Sequence, residues 1–251
     1  MRRTVFLLLL AAAVSGCGAP TAASTAASPT ASKTYDATVL ADHPAAYWRM
    51  DDTSGTTMTD ASGHHNDGVY AGAYSLGQPA PFGGVGNLAV TFDGQTGGSA
   101  SVPSSSSLQM NTITIELWLK KRSDTEYGVY VAKGYFQLLN NRHTGALEFR
   151  MTSQAEPALI SSSALALNTW YDVVATYDGR AANLYLNGKL NGTLAVVATP
   201  VQTADPMTIG RRWDGLYADA MLDDIAIYPT ALSGDRISAH WRAAAGMGVI
   251  R

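Results

Sequence analysis

The chain has 251 residues, 17 Lys and Arg against 20 Asp and Glu, and a formal net charge of −3. That balance disfavours a nucleic-acid partner, because neutralising phosphates needs a basic field. A single cysteine excludes an internal disulfide, and 15% charged residues with 24 glycines describe a turn-rich extracellular β protein.

The amino terminus carries Arg2 and Arg3, an apolar run from Val5 to Val14, and then Ser15-Gly16-Cys17. The run is too short to span a bilayer as a helix, so residues 1–16 read as an export signal. Val14-Ser15-Gly16-Cys17 resembles the bacterial lipobox, in which cleavage precedes the cysteine and the thiol is lipidated. Cys17 is therefore the expected lipid attachment point; the alternative is an ordinary signal with a chance cysteine. Residues 17–34 are mostly Ala, Ser, Thr, Gly and Pro and predict a flexible tether, because such a stretch buries too little apolar surface to offset its chain entropy. The remaining residues, 35–251, are long enough for one β domain with a sizeable core.

Within that body a weak helical turn is expected at Ala37 to Ala41. Alternating patterns then predict strands at Ala89 to Phe92, Thr112 to Leu119, Tyr127 to Ala132, Phe136 to Leu139 and Leu147 to Met151. Further strands follow at Trp170 to Tyr177, Ala182 to Leu186, Leu190 to Val197, Met207 to Ile209 and Met221 to Tyr228. In the second of these, Ile113, Ile115 and Leu117 share one face. Asn187-Gly188 supplies the two positive-φ positions of a type I′ turn, so the flanking arms form a hairpin. One helix is predicted from Gly234 to Ala244, with Ser233 as its cap, Ile237 and Trp241 on one face, and Gly246 at its end. The order is one of antiparallel meanders, and the expected fold is all-β, a two-sheet jelly-roll sandwich with one short C-terminal helix. A ligand is expected on the concave face or the loop rim.

Several sequence blocks carry a family resemblance. They are Pro44-Ala45-Ala46-Tyr47-Trp48-Arg49-Met50-Asp51, Asp60-Ala61-Ser62-Gly63, Asn66-Asp67-Gly68 and Phe92-Asp93-Gly94, then Ile115-Glu116-Leu117-Trp118 and Leu167-Asn168-Thr169-Trp170. Leu184-Tyr185-Leu186-Asn187-Gly188, Ile209-Gly210-Arg211 and Leu222-Asp223-Asp224-Ile225-Ala226-Ile227-Tyr228 complete the series in order. Together they resemble the laminin-G-like, concanavalin A-like lectin/glucanase superfamily across Ala37 to Ala244. That fold serves lectins, glycosidases, adhesion modules and spacers alike. The resemblance implies a structural Ca2+ held by Asp93 and Asp223 with backbone carbonyls; the alternative is that these aspartates cap turns. Consecutive residues of a regular strand face opposite ways, which is the reason for choosing Asp223 over Asp224.

Glycosidases of this fold need two carboxyl groups flanking the scissile bond, about 5 Å apart for retention. No run of alternating acids on one strand occurs here, so no catalytic residue is expected. Gly84-Val85-Gly86-Asn87-Leu88-Ala89 precedes a strand and reads as a loop, and His64-His65 has no third ligand at metal spacing. A sugar site favours an aromatic ring with planar amides or guanidinium groups. Arg211-Arg212-Trp213-Asp214 is the best candidate, unless Trp213 folds back with Arg212 stacked on it. Tyr135, Asn140, Asn141 and Arg142 form a second cluster, whereas Trp48, Trp118 and Trp170 are expected in the core. The expected function is a non-catalytic recognition module for carbohydrate or an extracellular protein, monomeric, exported and lipid-anchored at the bacterial envelope. The alternatives are a glycan hydrolase of the same fold and a ligand-free spacer.

Overall fold

The computed structural model describes residues 30–83, 86–134, 136–151, 157–198, 200 and 202–248. The signal, Cys17, most of the tether and Tyr135 lie outside the described residues. Among the described residues sixteen strands, two α-helices and one short 3-10 turn (Ser106–Leu108) follow one another. Helix α1 (Thr30–Leu40) leads into β1 (Ala46–Trp48), β2 (Thr57–Met58), β3 (Gly68–Ala71), β4 (Tyr74–Pro79), β5 (Leu88–Asp93) and β6 (Ser99–Val102). Then come β7 (Ile113–Lys121), β8 (Val129–Lys133), β9 (Phe136–Asn140), β10 (Ala146–Arg150) and β11 (Ala158–Ala164). The chain closes with β12 (Trp170–Tyr177), β13 (Ala181–Leu186), β14 (Lys189–Ala195), β15 (Met207–Ile209), β16 (Asp219–Tyr228) and α2 (Gly234–Ala245).

The strands form two eight-stranded sheets with antiparallel pairings throughout. The first runs β14-β13-β12-β7-β16-β5-β4 with β1 also on β16; the second runs β11-β10-β9-β8-β15-β6-β3-β2. Their inner faces interdigitate. Ile113, Ile115, Leu117 and Leu119 of β7, with Val173, Leu222 and Ile227, meet Tyr130, Leu138, Phe149, Met207 and Ile209 of the second sheet. The jelly-roll expectation therefore holds, as does the shared face of Ile113, Ile115 and Leu117. Asn187 and Gly188 take φ of 51° and 71° between paired Leu186 and Lys189, the backbone of the expected hairpin turn.

The structure adds α1. Sequence reading gives a tether to Thr34 and only a weak turn after it, yet the helix begins at Thr30. Its apolar pair is short, Tyr35 and Val39 one turn apart, and both are buried. Isolated helices of this length are marginal, so docking holds it. Together with α2 it covers the outer face of the first sheet, where Trp118 meets Phe82 edge-on at 5.4 Å and stacks on Trp241 at 5.6 Å. Strand β7 is consequently buried on both faces, and among the described residues neither α-helix packs on the outer face of the second sheet.

Candidate functional site

The alternation that sends Val131, Leu138, Phe149 and Ile209 inward turns their neighbours Ala132, Gln137, Arg150 and Thr208 outward from the second sheet. Strand register aligns Val69, Ser101, Thr208, Ala132, Gln137, Arg150 and Ala158 in one transverse row. At ordinary strand spacing this row is about 29 Å long. A cavity of about 570 Å³ opens on it, floored by Ala132, Gln137 and Thr208 and walled by Asp205 on one side and Arg211 and Trp213 on the other. Ligand clefts have this size.

Both walls are fixed from below. Lys133 Nζ donates to Thr203 O at 3.0 Å, Asp205 O at 2.6 Å and Ser104 Oγ at 3.1 Å, which ties down the 202–206 loop. The opposite wall is a tight loop: Gly210 takes φ +77°, and a Cβ there would stand 3.0 Å from the Phe92 ring. Arg211 bridges Tyr217, Arg212 N donates to Leu216 O, and the Thr208 hydroxyl donates to Arg211 O at 2.8 Å. Trp213 stands at the tip, 84% exposed.

Arg212 does not stack on Trp213. Its guanidinium grips Asp214 through two bonds, Nε to Oδ1 at 2.8 Å and a terminal nitrogen to Oδ2, and lies 5.5 Å over the Tyr127 ring. Arg142 and Arg150 sit over the same ring at 5.0 and 5.2 Å. The Arg212 hydrogen bond holds the Asp214 carboxyl below its ordinary range. Arg142 pairs with Glu126 and Arg150 with buried Glu148, which also accepts from Asn141. Arg211 has no carboxylate partner among the described residues, and its buried Nε makes no hydrogen bond.

The predicted ligand residues thus separate. Trp213 and Arg211 face the cavity; Arg212 and Asp214 brace the loop that presents them. Asn140 is buried, donates to Thr125 O at 2.9 Å and accepts from Lys121, so it anchors the loop before β8 and is not open to ligand. Gln137 was missed by sequence reading. Only 8% exposed, it floors the cavity with an Oε1 that has no hydrogen-bond partner. Its signal was an amide between the apolar Phe136 and Leu138 of the strand.

The expected calcium pair is not assembled. Asp93 pairs across the sheet with Asp219, whereas Asp223 lies opposite Trp118, four residues along β16 and about 13 Å away. The Asp93 carboxylate instead accepts from the backbone of Gln95 and Thr96 and from the Thr96 hydroxyl, whose bond holds its pKa low. Asp93 thus caps its own turn. The alternation argument also fails locally, because β16 bulges between Asp223 and Ala226 and Asp224 adopts φ +47°. Both carboxyl groups are buried and act electrostatically on the same Asp51 and Arg49. Burial pushes both well above the usual carboxylate range and Asp51 to about 6. Asp223 Oδ2 and Asp224 Oδ2 lack hydrogen bonds, while Tyr47 donates to Asp224 Oδ1. Among the described residues no group of three or more His, Cys, Asp or Glu is placed to hold a metal ion.

The fold recurs in solved structures at low sequence identity. Domain 4 of AbnA, an extracellular GH43 arabinanase from Geobacillus stearothermophilus solved with arabinotriose, matches with a TM-score of 0.59 and 16% identity over 78% of this chain and 97% of that one. The binding domain of botulinum neurotoxin DC, solved with rat synaptotagmin II, gives 0.62 and 16% over 82% of this chain and 52% of that one. Trypanosoma rangeli sialidase gives 0.58 and 16% over 78% and 32%. No protein of curated function matches the sequence. Residues 92–238, more than half of the chain and the whole span from the Phe92 turn to α2, match one family, and the protein belongs to the concanavalin A-like lectin/glucanases superfamily.

Proposed function

We propose that the protein is a non-catalytic glycan-recognition module that binds through the outer face of its second sheet. The observation that carries this reading is Trp213, an indole left 84% exposed at the rim of a cavity whose floor holds the unpaired Gln137 amide oxygen. An exposed ring offers a stacking face to a pyranose, and a buried unpaired acceptor gains most from a ligand hydroxyl. Asp205 is the one acid among the residues lining the cavity, which supports binding over glycoside hydrolysis, since most glycosidases use two facing carboxyl groups. The arabinotriose complex of the similar arabinanase domain agrees with a saccharide ligand. The synaptotagmin complex of the similar toxin domain favours a protein ligand as the second reading.

In this reading Cys17 carries the lipid, residues 18–29 and α1 lead to the domain, and the site faces away from the cytoplasm as a monomer. No helix among the described residues is long and apolar enough to cross a membrane. Affinity electrophoresis against a panel of plant, cell-wall and matrix polysaccharides tests the function. Binding to at least one polymer should weaken about tenfold or more in Trp213→Ala, a loss of about 1.4 kcal/mol. Absence of binding across the panel refutes the glycan reading and leaves the protein-ligand one.

A further inference from the structure

We infer that the saccharide bound at this site is acidic, a uronic-acid residue whose carboxylate lies on Arg211. The inference rests on the glycan reading and adds the ligand's charge. Three of the four arginines around the site are neutralised within the protein, Arg142 by Glu126, Arg150 by Glu148 and Arg212 by Asp214. Arg211 is not: it lines the cavity without a carboxylate partner among the described residues, and its buried Nε–H has no acceptor. A buried guanidinium donor without an acceptor is costly, and a ligand oxyanion supplies the strongest acceptor for it. The acid on the opposite wall, Asp205, does not fill that role. It lies beside the Lys133 ammonium, which bonds to its backbone carbonyl and feels its charge.

The remaining polar groups ask for the opposite partner. Gln137 Oε1 is an unpaired acceptor, and the Thr208 hydroxyl has already given its proton to Arg211 O, which leaves it only lone pairs for a ligand. Beside the Asp205 carboxylate, which lies by Lys133, the site thus presents one cationic donor, two acceptors and a flat indole. A pyranose bearing a carboxylate and free hydroxyls satisfies all four at once. A neutral sugar leaves the charge of Arg211 unanswered, and an acidic peptide brings no hydroxylated ring to lie on Trp213.

The test measures affinity of the full chain for polygalacturonate and for the same polymer after its carboxyl groups are reduced to alcohols, with polyglutamate as an acidic peptide, by isothermal titration calorimetry at fixed salt. Polygalacturonate should bind at least about tenfold more tightly than its reduced form. Arg211→Gln should abolish that difference by weakening polygalacturonate far more than its reduced form, Arg211→Lys should keep part of it, and Trp213→Ala should weaken both. Thermal melts of the variants serve to separate site loss from misfolding. Equal affinity for the two polymers with Arg211→Gln unchanged overturns the acidic-sugar inference and leaves the glycan reading standing. Failure of both polymers together with the wider panel overturns the two readings at once. Polyglutamate bound as tightly as polygalacturonate shows charge without sugar recognition and overturns the inference as well.

Discussion

Substituting His240 should destabilise the protein more than any surface change, because its ring joins three elements at a carboxylate with no access to water. Glu116, on the helix-covered face of β7, is 0% exposed. It accepts from Tyr35 OH of α1 at 3.2 Å, from Tyr228 OH of β16 at 3.0 Å and from His240 Nδ1 of α2 at 2.9 Å. The other ring nitrogen, Nε2, lies 2.9 Å from Asp42, just beyond α1, which Arg236 also grips at 2.9 Å. A neutral imidazole donates once; two carboxylates facing both nitrogens require the imidazolium. Burial lowers the His240 pKa, but Glu116 and Asp42 outweigh it and the net direction is upward. Removing one member of a buried ion pair costs about 3–5 kcal/mol. For a domain of this size each kcal/mol moves Tm by about 2–4 °C, so His240→Ala should melt about 10 °C lower near pH 6. Because the folded pKa stands above the unfolded one, the contribution is complete below about pH 6.5 and is lost as pH rises through the folded value. Wild type should therefore lose up to about 1.4 kcal/mol per pH unit more than His240→Ala over that window. Calorimetric melts of both proteins from pH 5 to 9 measure the difference. Parallel pH profiles, or Tm values within about 2 °C at pH 6, would refute a charged clamp at this position.

Three further outcomes are expected. Asp172 is buried beside this network with no side-chain donor to either carboxyl oxygen, and burial first, then Glu116, raises its pKa against the lowering by His240 and the Gly188 backbone N–H. Its stabilising proton is present below the unfolded value near 3.9 and lost as pH climbs through the folded one, so Asp172→Asn should raise Tm at pH 8 and converge with wild type near pH 4. Asn187→Ala gives up the side-chain bond to Asp172 N at 3.0 Å and puts alanine at φ +51°, a loss of about 1–3 kcal/mol in denaturant titration with an unchanged m-value. Asp223→Asn should melt at or above wild type at neutral pH with or without millimolar calcium; a calcium-dependent rise in wild type alone would instead put a cation on the unpaired oxygens of Asp223 and Asp224.

What was legible in the sequence is what depends on near neighbours. The Asn187-Gly188 turn, the inward stripe of β7 and the Ser233 cap of α2, which accepts from Arg236 N, each follow from a few adjacent residues. Polar residues on strands were another matter, because their meaning lies across the sheet. Glu116 has the pattern of a solvent-facing residue, yet its partners Tyr35, Tyr228 and His240 stand 81, 112 and 124 residues away. Asp223 and Asp224 follow the two-residue period until a bulge breaks it, and no residue type in Leu222-Asp223-Asp224-Ile225 announces the positive φ of Asp224. Arg212 leaves its neighbour Trp213 for Tyr127, 85 positions earlier, and so leaves the indole free. The same logic separates the two outward-facing surfaces. On the first sheet, α1 and α2 bring tyrosines and an imidazole to the Glu116 acid, so its hydrogen bonds close within the protein. Among the described residues neither α-helix packs on the second sheet, and the Gln137 acceptor and the Arg211 Nε–H are left without a protein partner. Asp172, beside the Glu116 network, also lacks a side-chain donor and keeps its proton above the usual carboxylate range, whereas around this cavity a ligand can supply the missing partner.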